Sequence, residues 1–232
     1  MKLKGFNIAT LILFLTLFVG AIHTPAGSGI AITGESLEFH HVAETEDDFL
    51  PHRAPLNEFV YQVANGRANQ VVGLFADKIL SFPVLQQPAD NPGYVTHQPN
   101  TVTQFGMASQ YGSTGILAHN TLAGLLFYYL TDGQQISLVY GDGSVQHFIV
   151  TDVLHVQALN PHSAYSSFVD LDHGGSILSA EQLFYQVYAT ENRLVLQTCL
   201  FNKGNPSWGR LFVIAAPVGS LQLVDYQSSS QG

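Results

Sequence analysis

The chain reads as a mainly β protein, a closed or nearly closed antiparallel barrel with a few short helices, and three observations lead there. Eight segments carry the apolar or alternating pattern of strands, at residues 70–75, 78–85, 115–118, 135–140, 145–156, 193–198, 211–216 and 221–226. Gly141-Asp142-Gly143 sits between two of them as a tight hairpin turn. Charged residues make up only 11% of the chain while Gly and Tyr are common, a composition that suits a sheet better than a helical bundle. Many strands joined by hairpins remove their exposed edges most simply by closing on themselves.

Taken from the N-terminus, Lys2 and Lys4 precede an uncharged stretch over residues 5–24, and small residues follow at Pro25-Ala26-Gly27-Ser28-Gly29. A positive start before an apolar run is the pattern of an export segment, residues 1–26, either cleaved as a signal peptide or kept as a membrane anchor with the remaining chain outside. Residues 27–54 mix His40, His41 and His52 with Glu44, Glu46, Asp47 and Asp48, show no apolar period and read as a linker. The domain is expected at residues 55–226, followed by a polar tail at 227–232. The location expected is extracytoplasmic, anchored by the N-terminal segment or secreted.

Three helices are expected inside the domain. Pro55 opens the first, with Leu56, Phe59, Val60 and Val63 on one stripe and Gly66 as the stop; it should pack on the outside of the sheet. Asn120 caps a second that carries Leu122, Leu125, Leu126 and Leu130 and ends at Asp132-Gly133. The pattern Ser179-Ala180-Glu181-Gln182 is a capping box for a third, with Leu183, Phe184 and Val187 on one face.

The formal charge is −9 with only eight Lys plus Arg and no basic run, which excludes a nucleic-acid surface. The chain has one cysteine, Cys199, so no internal disulfide can form and the thiol's reactivity becomes the question. Cys199 closes the run Leu194-Val195-Leu196-Gln197-Thr198-Cys199. Arg210 stands just ahead of Leu211-Phe212-Val213-Ile214-Ala215, and Gly115-Ile116-Leu117-Ala118 runs into His119-Asn120. Thiol, imidazole and guanidinium are the components of a cysteine acyl-transfer site. At reference pKa values only ~1% of an uncoupled Cys–His pair is thiolate plus imidazolium. A nearby arginine favours the thiolate and offers a planar set of donors to a developing oxyanion. The plainer readings are a buried apolar cysteine, a capping histidine and a surface arginine; the three in this order outweigh them.

These residues resemble the sortases. The likeness spans about residues 70–226: Gly115 to Asn120, Phe127 and Leu130, Asp132-Gly133, Ile136-Ser137-Leu138, the hairpin, Leu196-Gln197-Thr198-Cys199, and Arg210 followed by its apolar run. The resemblance implies an eight-stranded barrel and a membrane-associated cysteine transpeptidase. In it Cys199 matches the nucleophile, His119 the acid and base, and Arg210 the residue that steadies substrate and oxyanion; Thr198, Ala118 and Asn120 fall beside the substrate. It also implies, as partners, exported proteins with a C-terminal sorting sequence and an amine acceptor from the cell wall or another protein. Neither a cofactor nor a metal is expected. Ala118 and Val195 depart from the family's usual Gly and Thr, and the long connection at residues 157–192, with its helix, is like that of class B sortases. The lid and C-terminal membrane segment of pilus-building sortases are absent from the pattern. The alternatives are a thiol hydrolase with water as acceptor and a barrel that only binds peptides.

Outside this set, His147 and His155 share one expected strand at even spacing and so one face, without enough further ligands for a metal. Asp170, Asp172 and His173 form a polar cluster with too few oxygen ligands to specify calcium.

Overall fold

A computed structural model describes residues 54–219 except Ala164. The N-terminal apolar segment, the linker through residue 53, the strand expected at 221–226 and the polar tail lie outside the described residues. No helix among the described residues is long and apolar enough to cross a membrane.

The elements in order are helix α1 (Leu56–Val63), strands β1 (Val71–Ala76), β2 (Leu80–Gln86) and β3 (Val102–Phe105), helix α2 (Gly106–Gln110), β4 (Thr114–Leu117) and a 3-10 helix (Ala123–Tyr129). These are followed by β5 (Gln135–Tyr140), β6 (Val145–Ala158), β7 (Phe168–Asp170), β8 (Ile177–Leu178), helix α3 (Ala180–Tyr188), β9 (Leu194–Asn202) and β10 (Asn205–Pro217). Eight strands pair in the order β10-β9-β4-β3-β2-β1-β5-β6, and β6 pairs with β10 to close the ring. The closed eight-stranded barrel is therefore present. It is mixed rather than antiparallel throughout: β2–β3 and β4–β9 are parallel, because long connections carry the chain back before each second strand begins.

Eight strands leave an interior just wide enough for side chains to fill. Leu74, Leu80, Phe82, Ile116, Phe127, Ile136, Leu138, Phe148, Leu196 and Val213 fill it. A second apolar cluster lies on the outer face, where Leu117, Val195, Phe212 and Ile214 meet Leu183, Phe184, Val187 and Tyr188 of α3. Strand alternation accounts for the division: Leu194 and Leu196 point inward while Val195 between them points outward. The Ser179 capping box forms as its sequence requires, with the hydroxyl accepting from the Gln182 N–H at 3.1 Å. Helix α1 lies outside the barrel on Val72, Phe75 and Val139, as its stripe demands.

Several boundaries differ from expectation for local reasons. Lys78 adopts φ 60° in the turn after β1, so β2 starts at Leu80. The second expected helix is a 3-10 helix beginning after Leu122, and Asn120 does not cap it. The Asn120 amide instead donates to the Pro206 carbonyl at 3.0 Å, tying the end of β4 to the start of β10. β9 runs past Cys199 to Asn202, and β10 begins at Asn205, well before Arg210. The turn between them is Lys203-Gly204, with φ 48° and 78°, the left-handed pair that suits a two-residue hairpin. His147 and His155 do not share a face. A bulge in β6, opposite Ile214 and Ala215, shifts the alternation: Phe148 and Val150 point inward before it, Leu154 and Val156 outward after it. Strands β3, β7 and β8 and helix α2 were not expected; they are two to five residues long and too short to show a period.

Candidate active site

The parallel ladder between β4 and β9 sets Thr114 against Leu194 and Leu117 against Gln197. It continues one step further, with the Ala118 N–H donating to the Gln197 carbonyl at 3.1 Å. His119 then follows Ala118 two residues past the end of β4, while β9 continues through Thr198 to Cys199. On the far side of β9 the antiparallel ladder pairs Cys199 directly with Arg210. Cys199 and Arg210 thus face each other across β9 and β10, and His119 lies past the end of β4, the strand that flanks β9 on its other side. Alternation puts Cys199 and Arg210 on the outward face: Leu196 on β9 and Leu211 and Val213 on β10 point inward, Val195 and Phe212 outward.

Helix α3 covers part of that face and leaves the rest open. Val195 packs under the helix, and the Gln197 side chain accepts a hydrogen bond from the buried Tyr188 hydroxyl at 2.6 Å. Burial raises the Tyr188 hydroxyl far above its ordinary pKa, so it remains a donor. Cys199, next in the outward series, is half-buried and carries a free thiol. Phe201 beyond it is 63% exposed.

Arg210 is only 2% exposed, and its Nη1 donates to the Gly209 carbonyl at 2.7 Å and the Ser207 carbonyl at 3.1 Å. Those bonds tie the guanidinium to the backbone of its own strand. The ladder continues from Arg210 through Val156 on β6 to Asp170 on β7. Asp170 is buried, accepts from the Asp172 and His173 N–H groups at 2.9 Å each, and pairs with the His173 ring at 3.3 Å. Burial pushes its carboxyl up, but those N–H groups and His173 outweigh it and leave the pKa below the usual value. His155 pairs with Asp172 at 3.1 Å. Among the described residues no three His, Cys, Asp or Glu are arranged to hold a metal ion.

Thr198 and Ala118, both expected beside a substrate, are buried next to Cys199 and His119. The Thr198 hydroxyl donates to the Ala118 carbonyl at 2.9 Å, fastening β9 to β4. The chain then turns sharply: the His119 carbonyl accepts from both the Leu122 and Gly124 N–H groups at 3.0 Å. A Cβ at Gly124 would collide with the Thr198 hydroxyl and the His119 carbonyl, so only glycine permits this approach.

Two neighbours of the site carry no sequence signal. The Tyr128 hydroxyl, from the 3-10 helix, donates to the Cys199 carbonyl at 2.8 Å. Burial, and to a lesser degree the neighbouring Cys199, raise its pKa against the opposing effect of the Phe201 backbone. The His97 ring lies over His119 with centroids 4.4 Å apart. Burial, then repulsion from His97, lower the pKa of His119 against the opposing effect of the Val95 backbone, so neutral imidazole is favoured. Nothing in the spacing of residues 87–101 points to residue 119; only the path of the β2–β3 connection brings them together.

No protein-family model matches this chain, and no curated protein matches it in sequence. Solved structures that it is similar to include sortase A of Listeria monocytogenes (13% identity, TM-score 0.41, covering 63% of this chain and 86% of that one). Sortase C1 of Streptococcus suis is similar at 12% identity and TM-score 0.43, covering 70% and 78%. Sortase C of Clostridium perfringens with the C-terminal cell wall sorting motif is similar at 16% identity and TM-score 0.41, covering 70% and 85%.

Proposed function

We propose that this chain is a sortase-like cysteine transpeptidase. The observation that supports the reading is the direct pairing of half-buried Cys199 with buried Arg210 on the outward face, with His119 just past the end of β4 on the other side of β9. His119 takes the thiol proton of Cys199 as the sulfur attacks a peptide carbonyl carbon, and Arg210 stabilises the resulting oxyanion. Collapse breaks the C–N bond. His119 returns its proton to the leaving amine, and the acyl group remains on sulfur as a thioester. An incoming amine then attacks the thioester, gives its proton to His119 and leaves with the acyl group in a new amide, while the thiolate recovers the proton.

The substrates in this reading are exported proteins with a C-terminal sorting sequence, and the acceptor is an amine of the cell wall or of another protein. The N-terminal segment exports the domain, which is then either held at the membrane by that segment or released when it is cleaved. Incubation with a library of C-terminal peptides, with and without an amine, followed by intact-mass measurement, tests the proposal. A Cys199 thioester that an amine converts to a new amide supports transpeptidation. A thioester released only by water makes the protein a thiol hydrolase, and peptide binding with no covalent adduct leaves only a binding barrel.

A further inference from the structure

The connection between β2 and β3, residues 87–101, is pegged to the barrel. The Gln87 amide donates to the Pro92 and Tyr94 carbonyls at 2.7 and 3.1 Å and accepts from the Gly106 N–H at 3.1 Å. Further along, the N–H of buried Thr96 donates to the hydroxyl of buried Thr103 at 2.9 Å. Thr103 on β3 pairs with Leu117 on β4, two residues before His119. The segment Val95-Thr96-His97 is thereby fastened over the end of β4, and the exposed His97 ring is delivered onto His119 at 4.4 Å with the planes 36° apart.

We propose that His97 is a positioning residue for the acyl-transfer reaction: it stacks on His119, fixes the plane of that ring and keeps it as the neutral imidazole that accepts the thiol proton. This rests on the transpeptidase reading. The physical basis is twofold. A stacked ring restricts rotation of its neighbour, and two imidazolium rings at this separation repel, so the pair tolerates one proton more readily than two. Among the described residues, the titratable and charged groups placed about His119 include His97 from the loop, Cys199 on the adjacent strand and Arg210 beyond it. The lowered pKa of His119 agrees with this geometry.

His97→Phe keeps a ring over His119 without a charge, and His97→Ala removes both. The His119 ring is titrated by NMR, assigned by difference from His119→Asn, and peptide-transfer rates are measured from pH 5 to 8. Removing repulsion raises the pKa of a histidine, so the His119 midpoint and the acid limb of kcat/KM should move to higher pH in both variants. The plateau rate should fall roughly tenfold in His97→Ala, inside the ~10^2–10^4 that acid–base catalysis supplies, and recover in His97→Phe. Thr103→Val, which removes the acceptor for Thr96, should lower the plateau in the same direction. An unchanged His119 midpoint in both variants, or a His97→Phe protein identical to wild type in both readouts, overturns the proposal. If wild type shows no transfer at all, the transpeptidase reading fails, and the NMR midpoints still decide whether His97 controls His119.

Discussion

Cys199 and Arg210 face each other across the β9–β10 ladder as directly paired residues. The two-residue turn at Lys203-Gly204 sets Asn205 opposite Asn202, and an irregularity in β10 between Asn205 and Gly209 then brings Arg210, not Trp208, opposite Cys199. If the pairing serves acyl transfer, Cys199→Ala abolishes the peptide adduct with little change in melting temperature. Arg210→Lys lowers kcat/KM by ~10^2–10^3, since an ammonium lacks the planar donor fork. Adduct mass and transfer rate measure these; an adduct on Cys199→Ala, or near-normal rates for Arg210→Lys, would refute the assigned roles.

The contact among Thr198, Ala118, Gly124 and His119 is tight enough to test by single atoms. Thr198→Val keeps the shape but leaves the buried Ala118 carbonyl without its hydroxyl donor, at a cost of ~1–3 kcal/mol. Gly124→Ala forces a methyl group against the Thr198 hydroxyl and the His119 carbonyl, costing ~1–3 kcal/mol and displacing the ring. Urea unfolding measures the stability loss; an unchanged midpoint in Gly124→Ala would show that the turn relaxes freely.

Stability should fall with acid in two stages. The folded-state pKa of His119 is depressed, so the unfolded chain binds the proton more readily. The contribution is fully present above ~6.5 and is lost as pH drops through the folded value. Asp170 is depressed too, and its contribution is present above ~3.9 and lost below. Unfolding free energies from pH 8 to 3 measure both. His119→Gln should flatten the upper stage alone, and an equally steep upper stage in that variant would remove His119 as its source.

Asp170 holds the turn after β7 through two N–H groups and the His173 ring. Asp170→Ala removes the charged acceptor from both N–H groups and should cost ~1–3 kcal/mol. Hydrogen exchange should rise first at Asp172 and His173. Exchange unchanged there would mean that the turn is held by other contacts.

Much of the barrel could be read in advance where an element carries its own period or punctuation. β5 lies where its alternation put it, α3 begins at its capping box, and α1 buries the stripe its sequence displays. The short strands β3, β7 and β8 have too few residues for alternation to register, and the bulge that separates His147 from His155 arises from pairing with β10, which local pattern does not record. Within the candidate site, Cys199, His119 and Arg210 were legible as residue types in order. The bond from the Thr198 hydroxyl to the Ala118 carbonyl joins residues 80 apart and leaves no local signal. Asn120 was read as a helix cap, whereas its amide bonds to Pro206.

By itself the amino-acid order determined which segments extend, which coil, and where the thiol, imidazole and guanidinium stand at the ends of the apolar runs, because these depend on period and on residue type. Only the tertiary structure decided that Cys199 pairs with Arg210 beside the end of β4, that Val195 and Gln197 meet α3 while Cys199 stays half-buried, and that a tethered loop sets His97 on His119. Each of these depends on strand register and chain crossing between residues far apart in sequence, and hydrogen-bonded pairing, not local preference, chooses among the possible alignments.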